Sequence, residues 1–114
     1  MSRNIETGKR GELLAYNYLT EKGYRVVEKN YRFGRGEIDL IAEKDGLLVF
    51  IEVKYRSSDA FGYPEEAVGE KKASKVVSTA NHYVFETEWK KDIRFDILAI
   101  DSNGNVSHFE DAFN

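Results

Sequence analysis

Two carboxylates and a lysine flank one tight turn, and together they have the chemistry to manage a phosphate. Asp39 lies before the dipeptide Asp45-Gly46, and Glu52 and Lys54 lie after it. Asp-Gly between apolar-alternating segments signals a two-residue hairpin loop, because both residues tolerate the positive φ of a type I′ turn. With that loop, Lys44 pairs with Leu47. Carried outward, the register sets Ile41 across from Phe50, Asp39 across from Glu52 and Glu37 across from Lys54. Side chains alternate faces along a strand, so these residues share one face, apolar near the turn and charged away from it.

Directly opposed carboxylates have Cβ atoms about 4.5–5.5 Å apart and repel each other. A shared proton or neighbouring cations would relieve the pair. So would a hard divalent cation, since Mg²⁺ is commonly held by one or two carboxylates plus water and phosphate oxygens. Lys54 adds an ammonium beside that position. The set suits phosphodiester hydrolysis, in which Mg²⁺ or Mn²⁺ activates water and a lysine orients it or stabilises developing charge. The bland alternative is a cross-strand Glu37–Lys54 ion pair, with Lys54, Arg35 and Arg56 neutralising the acids and no metal present.

The elements that would position these residues are legible in order. Thr7 reads as an N-cap and Gly23 as the C′ glycine of a first helix. Leu14, Ala15, Tyr16, Tyr18 and Leu19 form its apolar arc, and Glu12 projects into that arc. Residues 24–33 read as a strand rich in β-branched and aromatic residues, and residues 32–36 as a loop with two arginines and two glycines. Residues 37–43 alternate with period two, and residues 47–55 are the most buried strand. Residues 57–68 look irregular. Ala73, Val76, Val77, Ala80, Tyr83 and Val84 mark a second helix from about Glu70 into the mid-eighties. Residues 93–100 are a further strand, followed by a turn at 102–105 and a short end that adds an edge strand or frays. The expectation is an α/β fold, one domain over 1–114, with α-β-β-β-α-β order and a mixed sheet flanked by helices.

At 114 residues, with 41% hydrophobic and 13% aromatic residues, the chain can bury a core, which excludes wholesale disorder. The absence of cysteine excludes disulfide scaffolds, thiolate zinc sites and cysteine nucleophiles. With no apolar signal segment, and with Leu47–Ile51 as the longest apolar run, a cytoplasmic protein without membrane contact is expected. The net charge of −3 argues against a protein that coats nucleic acid indiscriminately, but charge is segregated. Residues 1–36 balance at +4, residues 37–53 at −4, residues 54–78 at +1 and residues 79–114 at −4. An acidic centre flanked by basic segments can hold a cation and an anionic polymer together.

Asp39 followed by Glu52-Val53-Lys54 across a hairpin resembles the PD-(D/E)XK nuclease signature, and the element order is similar to that restriction-endonuclease-like core. More narrowly, Gly8-Lys9-Arg10-Gly11-Glu12 with Ala15, then residues 36–42, residues 52–56 and Arg94-Phe95-Asp96 resemble the YraN family. These are small bacterial proteins related to archaeal Holliday-junction resolvases. The resemblance covers nearly the whole chain and departs from the superfamily pattern at Ile38, where a proline is expected. It implies Asp39 and Glu52 as metal ligands, the Val53 carbonyl as a third ligand, Lys54 as the catalytic lysine and Glu12 as an acidic residue near the metal.

Other residues divide between functional and structural readings. Arg32, Arg35 and Arg56, with Lys71, Lys72 and Lys75 at the start of the second helix, are candidates for nucleic-acid backbone contacts or plain solvated charge. Arg94 and Asp96 share a strand face and suit a structural ion pair near the site. His82 and His108 lack ligand-like spacing and read as ordinary residues. Trp89 and Tyr63 are candidates for base stacking. The function expected is a metal-dependent endonuclease on DNA, branched or damaged, working as a homodimer or with a protein helper. The alternative is a non-catalytic nucleic-acid-binding or protein-interaction module of the same fold.

Overall fold

A computed structural model describes the backbone of residues 3–56 and 70–113, with side chains over 10–56 and 72–113. Residues 57–68, Pro64 and Tyr63 among them, lie outside the described part, as does the Lys71 side chain. The elements are α1 (Arg3–Glu21), β1 (Arg25–Phe33), β2 (Gly36–Lys44), β3 (Leu47–Arg56), α2 (Glu70–Thr87), β4 (Asp92–Asp101) and β5 (Val106–Phe109). This is the expected α-β-β-β-α-β order, with the chain's end forming an edge strand. Since α1 begins at Arg3, Thr7 lies inside the helix and does not cap it. A lone threonine is a weak start signal when the residues before it also tolerate helix. Gly23 closes α1 as expected. Its φ is 95°, its N–H donates to the Thr20 carbonyl at 3.1 Å, and the Tyr24 N–H donates to the Leu19 carbonyl at 2.9 Å. That pair of bonds is a Schellman cap.

The sheet runs β1-β2-β3-β4-β5, antiparallel except for the β3–β4 pair, which is parallel with α2 as the crossover. Asp45 and Gly46 have φ of 53° and 81°, as a type I′ loop requires. Lys44 pairs with Leu47 and Ile41 with Phe50, as the sequence predicts. One face packs Leu40, Ala42, Val49, Ile51, Val53 and Leu98 against Ala15 and Leu19 of α1. The other packs Ile38, Ile41, Leu48 and Phe50 against Val76 and Ala80 of α2. On α2 the buried stripe takes in Thr79 and leaves Val77 exposed, which shifts the predicted face by a fraction of a turn. Among the described residues no helix is long and apolar enough to cross a membrane.

Candidate functional site

The predicted register holds only part of the way. The β2–β3 ladder ends at Leu40–Ile51, so Asp39 and Glu52, and Glu37 and Lys54, are not ladder partners. From that point β2 stays with β1 and leaves β3, and the alternation of faces breaks once. Leu40 belongs to the α1-side core, whereas Ile38 and Ile41 both belong to the α2-side core. On β1, the β1–β2 register brings Asn30 to this point, and its φ is 52°. The Asp39 side chain takes over the lost ladder position, its Oδ2 accepting the Val53 N–H at 2.7 Å. A strand residue's N–H and C=O point the same way, so the Val53 carbonyl also faces the gap between the parted strands.

A cleft of about 370 Å³ opens there, lined by Arg35, Gly36, Glu37, Asp39, Glu52, Lys72, Lys75 and Val76. Its floor is Glu52, only 2% exposed. Glu52 Oε1 lies 3.2 Å from Lys72 Nζ, and Oε2 is buried with no hydrogen-bond partner among the described residues. Burial first, and the Asp39 charge second, push the Glu52 carboxyl up to about 7. Burial also raises Asp39, against the Val53 N–H bond, which favours its ionised form. Lys54 is held below its ordinary value, by burial first and then by the neighbouring Lys72. On Lys72, burial works downward but is outweighed by the charge and hydrogen bond of Glu52 and by a hydrogen bond to Lys54, so its pKa rises. The four groups form one coupled cluster.

Gly36 lets α2 come this close. A Cβ there would lie 1.9 Å from Thr79 Oγ1 and 2.8 Å from the Lys75 carbonyl oxygen. Close packing of α2 on this glycine is what carries Lys72 and Lys75 over the carboxylates. Lys72, read from sequence as a candidate backbone contact, thus touches Glu52. The only signal for this was helical spacing, which puts residues 72, 75, 76 and 79 on the face that meets the sheet.

The other candidates are placed variously. Arg35 and Lys75 are exposed and line the cleft. Arg32, at its rim, pairs with Glu37 at 3.4 Å. Arg56 ends β3 opposite Asp101, half-buried and outside the cleft lining. Glu12 is exposed and does not project into the buried arc. That arc runs through Gly11, Ala15 and Leu19, leaving residue 12 about 100° round the helix. Burial first, then the Glu12 charge and then the Asp39 charge, raise the pKa of the Tyr55 hydroxyl. Trp89 is partly buried, its indole N–H donating to the Asp92 carbonyl at 3.0 Å. The Arg94–Asp96 ion pair forms, but on the α1 side, beside Ile51 in the register, and so on the opposite face from Glu52. His108, which sequence reading set aside, lies against Asp96 at 2.7 Å. Nothing in its spacing could have signalled that.

Residues 11–100 match the model of a family described as "Uncharacterised protein family UPF0102". The chain belongs to this family. It is the assignment that the resemblance to YraN proteins implied. Among UPF0102 relatives, a Persephonella marina protein is 45% identical over 93% of this chain and 91% of its own length. A Cytophaga hutchinsonii protein is 44% identical over 95% of this chain and 96% of its own. One from Thermodesulfovibrio yellowstonii is 45% identical over 96% of each. Among solved structures, Pyrococcus furiosus SfsA in complex with Ca²⁺ aligns with 12% identity and a TM-score of 0.28, over 96% of this chain and 64% of that one. That likeness is too slight to build on.

Proposed function

We propose that this UPF0102 protein is a divalent-cation-dependent endonuclease that hydrolyses phosphodiester bonds in DNA. The observation that carries the reading is that Glu52 Oε2, buried beside Asp39, has no hydrogen-bond partner among the described residues. A buried carboxylate oxygen without a donor is costly, and a hard cation is the ligand that relieves it. Among the described residues no three His, Cys, Asp or Glu side chains gather, so the donors would be Asp39, Glu52, the Val53 carbonyl and oxygens of water and substrate. Mg²⁺ or Mn²⁺ bound there would supply charge neutralisation and an acidified water.

The chain's own residues supply the rest. Asp39 is oriented by the Val53 N–H. Lys54, whose pKa burial and then Lys72 hold below its ordinary value, stands beside the attacked phosphate. Its side chain orients the water and stabilises the charge that develops as one P–O bond forms to water and the bond to the leaving sugar oxygen breaks, with solvent supplying that oxygen's proton. Lys72 balances Glu52, and Arg35 and Lys75 hold flanking phosphates. Action on DNA, in the cytoplasm, is part of this reading. A homodimer would address the two strands of a branched substrate.

A second reading has its own observation. Lys72 already neutralises Glu52 inside the cleft, as suits a binding module that keeps the fold without turnover. The deciding experiment is cleavage of labelled single-stranded, duplex and four-way-junction DNA with Mg²⁺ or Mn²⁺, comparing wild type with Asp39→Asn and Lys54→Ala. Cleavage abolished by EDTA and reduced at least ~100-fold by each substitution is expected. Salt-dependent binding with no cleavage by any of the three, all folded, would decide for the module.

A further inference from the structure

Phe33 ends β1 as the register partner of Gly36, and Gly36 with Arg35 lines the cleft. Its ring lies flat on His82 of α2, with centroids 3.7 Å apart and planes 12° from parallel. Tyr31 also lies against His82, with centroids 6.3 Å apart and planes 27° from parallel. Yet Phe33 is 45% exposed. An aromatic ring supported beneath and open above is a stacking surface, and every nucleobase has a π-face to offer it. Cations adjoin it. Arg35 follows Phe33 in the turn between β1 and β2, and Lys75 stands two helical turns before His82 on the same side of α2.

We propose that Phe33, floored by His82, is a platform for one unpaired base of a DNA strand whose phosphate occupies the cleft. The proposal rests on the nuclease reading for what happens to that phosphate, and adds the substrate class. Bases inside a continuous duplex have both faces covered by their neighbours. The platform therefore selects single-stranded, frayed or junction DNA over uninterrupted duplex.

The test uses the full chain in EDTA, where no cleavage is expected, with oligodeoxynucleotides carrying 2-aminopurine as a fluorescent base. Wild type should quench the probe in a single strand and not in a duplex. Phe33→Leu keeps an apolar contact on His82 but removes the π-face. It should melt with wild type, lose the quenching and bind single strands roughly 5- to 30-fold more weakly. Its duplex affinity, set by phosphate contacts, should stay within about twofold. Phe33→Trp should restore quenching. A Phe33→Leu protein that binds single strands like wild type, or that loses duplex and single-strand affinity equally, overturns the platform. Asp39→Asn should keep the quenching, which separates the two readings. Quenching by a wild type that never cleaves with metal overturns the nuclease and leaves the platform, and cleavage without quenching does the reverse.

Discussion

Asp96 on β4 and Glu52 on β3 are both almost wholly buried, and the parallel register sets them one residue apart, Ile51 beside Asp96 and Glu52 beside Ile97. They consequently face opposite sides of the sheet, and their surroundings differ in kind. Asp96 accepts from Arg94 Nε at 2.8 Å, Arg94 Nη2 at 2.7 Å, His108 Nε2 at 2.7 Å and the Asp111 N–H at 3.0 Å. The network extends outward, with the Tyr18 hydroxyl 3.1 Å from His108 Nδ1 and Arg94 Nη2 donating to the Tyr24 hydroxyl at 3.0 Å. Burial alone would raise the Asp96 carboxyl, but these bonds outweigh it and hold it below its ordinary value. Glu52 has one cation on one oxygen and, among the described residues, no hydrogen-bond partner on the other. A buried charge with all its bonds made is structure, whereas one with a bond missing has capacity for a ligand.

The largest effect that would break this contrast is on stability. Asp96→Asn should cost about 3–5 kcal/mol, because it removes the buried charge that Arg94 and His108 bond and leaves Arg94 only its longer, 3.6 Å pairing with the exposed Glu110. Glu52→Gln should be neutral or stabilising in EDTA, since it removes a charge that burial disfavours. Urea unfolding of the two variants measures both values. Equal losses would mean that Glu52 is as structural as Asp96.

The pH dependence sharpens the same point. The Glu52 carboxyl stands at about 7 in the folded chain against 4.5 ordinarily, so the folded state binds the extra proton between those values. Stability in EDTA should fall as pH rises from about 4.5 to 7, by up to about 3 kcal/mol, and Glu52→Gln should flatten that slope. Asp96 has the opposite sign. Its contribution is present above the ordinary carboxylate range and lost as pH falls through its depressed value. Melting temperatures across pH in wild type, Glu52→Gln and Asp96→Asn separate the two contributions.

A smaller effect concerns how α2 is seated. Gly36→Ala should cost about 1–3 kcal/mol by overpacking and should draw Lys72 away from Glu52. Thr79→Ala added to it should recover part of the loss, because it relieves the 1.9 Å contact but not the 2.8 Å approach to the Lys75 carbonyl. A double-mutant cycle measures the coupling. Additive losses would show that this contact does not seat the helix.

Much of the fold was legible because its signals are local. Asp45-Gly46 specifies its own turn dihedrals and Gly23 its own helix cap, while the alternation in residues 37–43 and the apolar run in residues 47–55 mark two strands that the turn pairs. From these came the strand order through β3, and with it the nearness of Asp39, Glu52 and Lys54. The geometry of that nearness was not legible. That the β2–β3 ladder stops short of Asp39, whose side chain takes the Val53 N–H instead, is a relation between two strands that no local pattern in either one encodes. Glu12 shows the same limit from the other side. Its place on a helical wheel was readable, but the rotation that buries Gly11 and exposes Glu12 was decided by the sheet beneath. Contacts such as Tyr18 with His108 join residues 90 positions apart, and no local propensity encodes them. The sequence by itself determined the turns, caps and periodicities, because backbone dihedrals answer to neighbouring residues. Only the tertiary structure decided which buried charges found partners, because desolvation and hydrogen bonding depend on what the rest of the chain brings alongside.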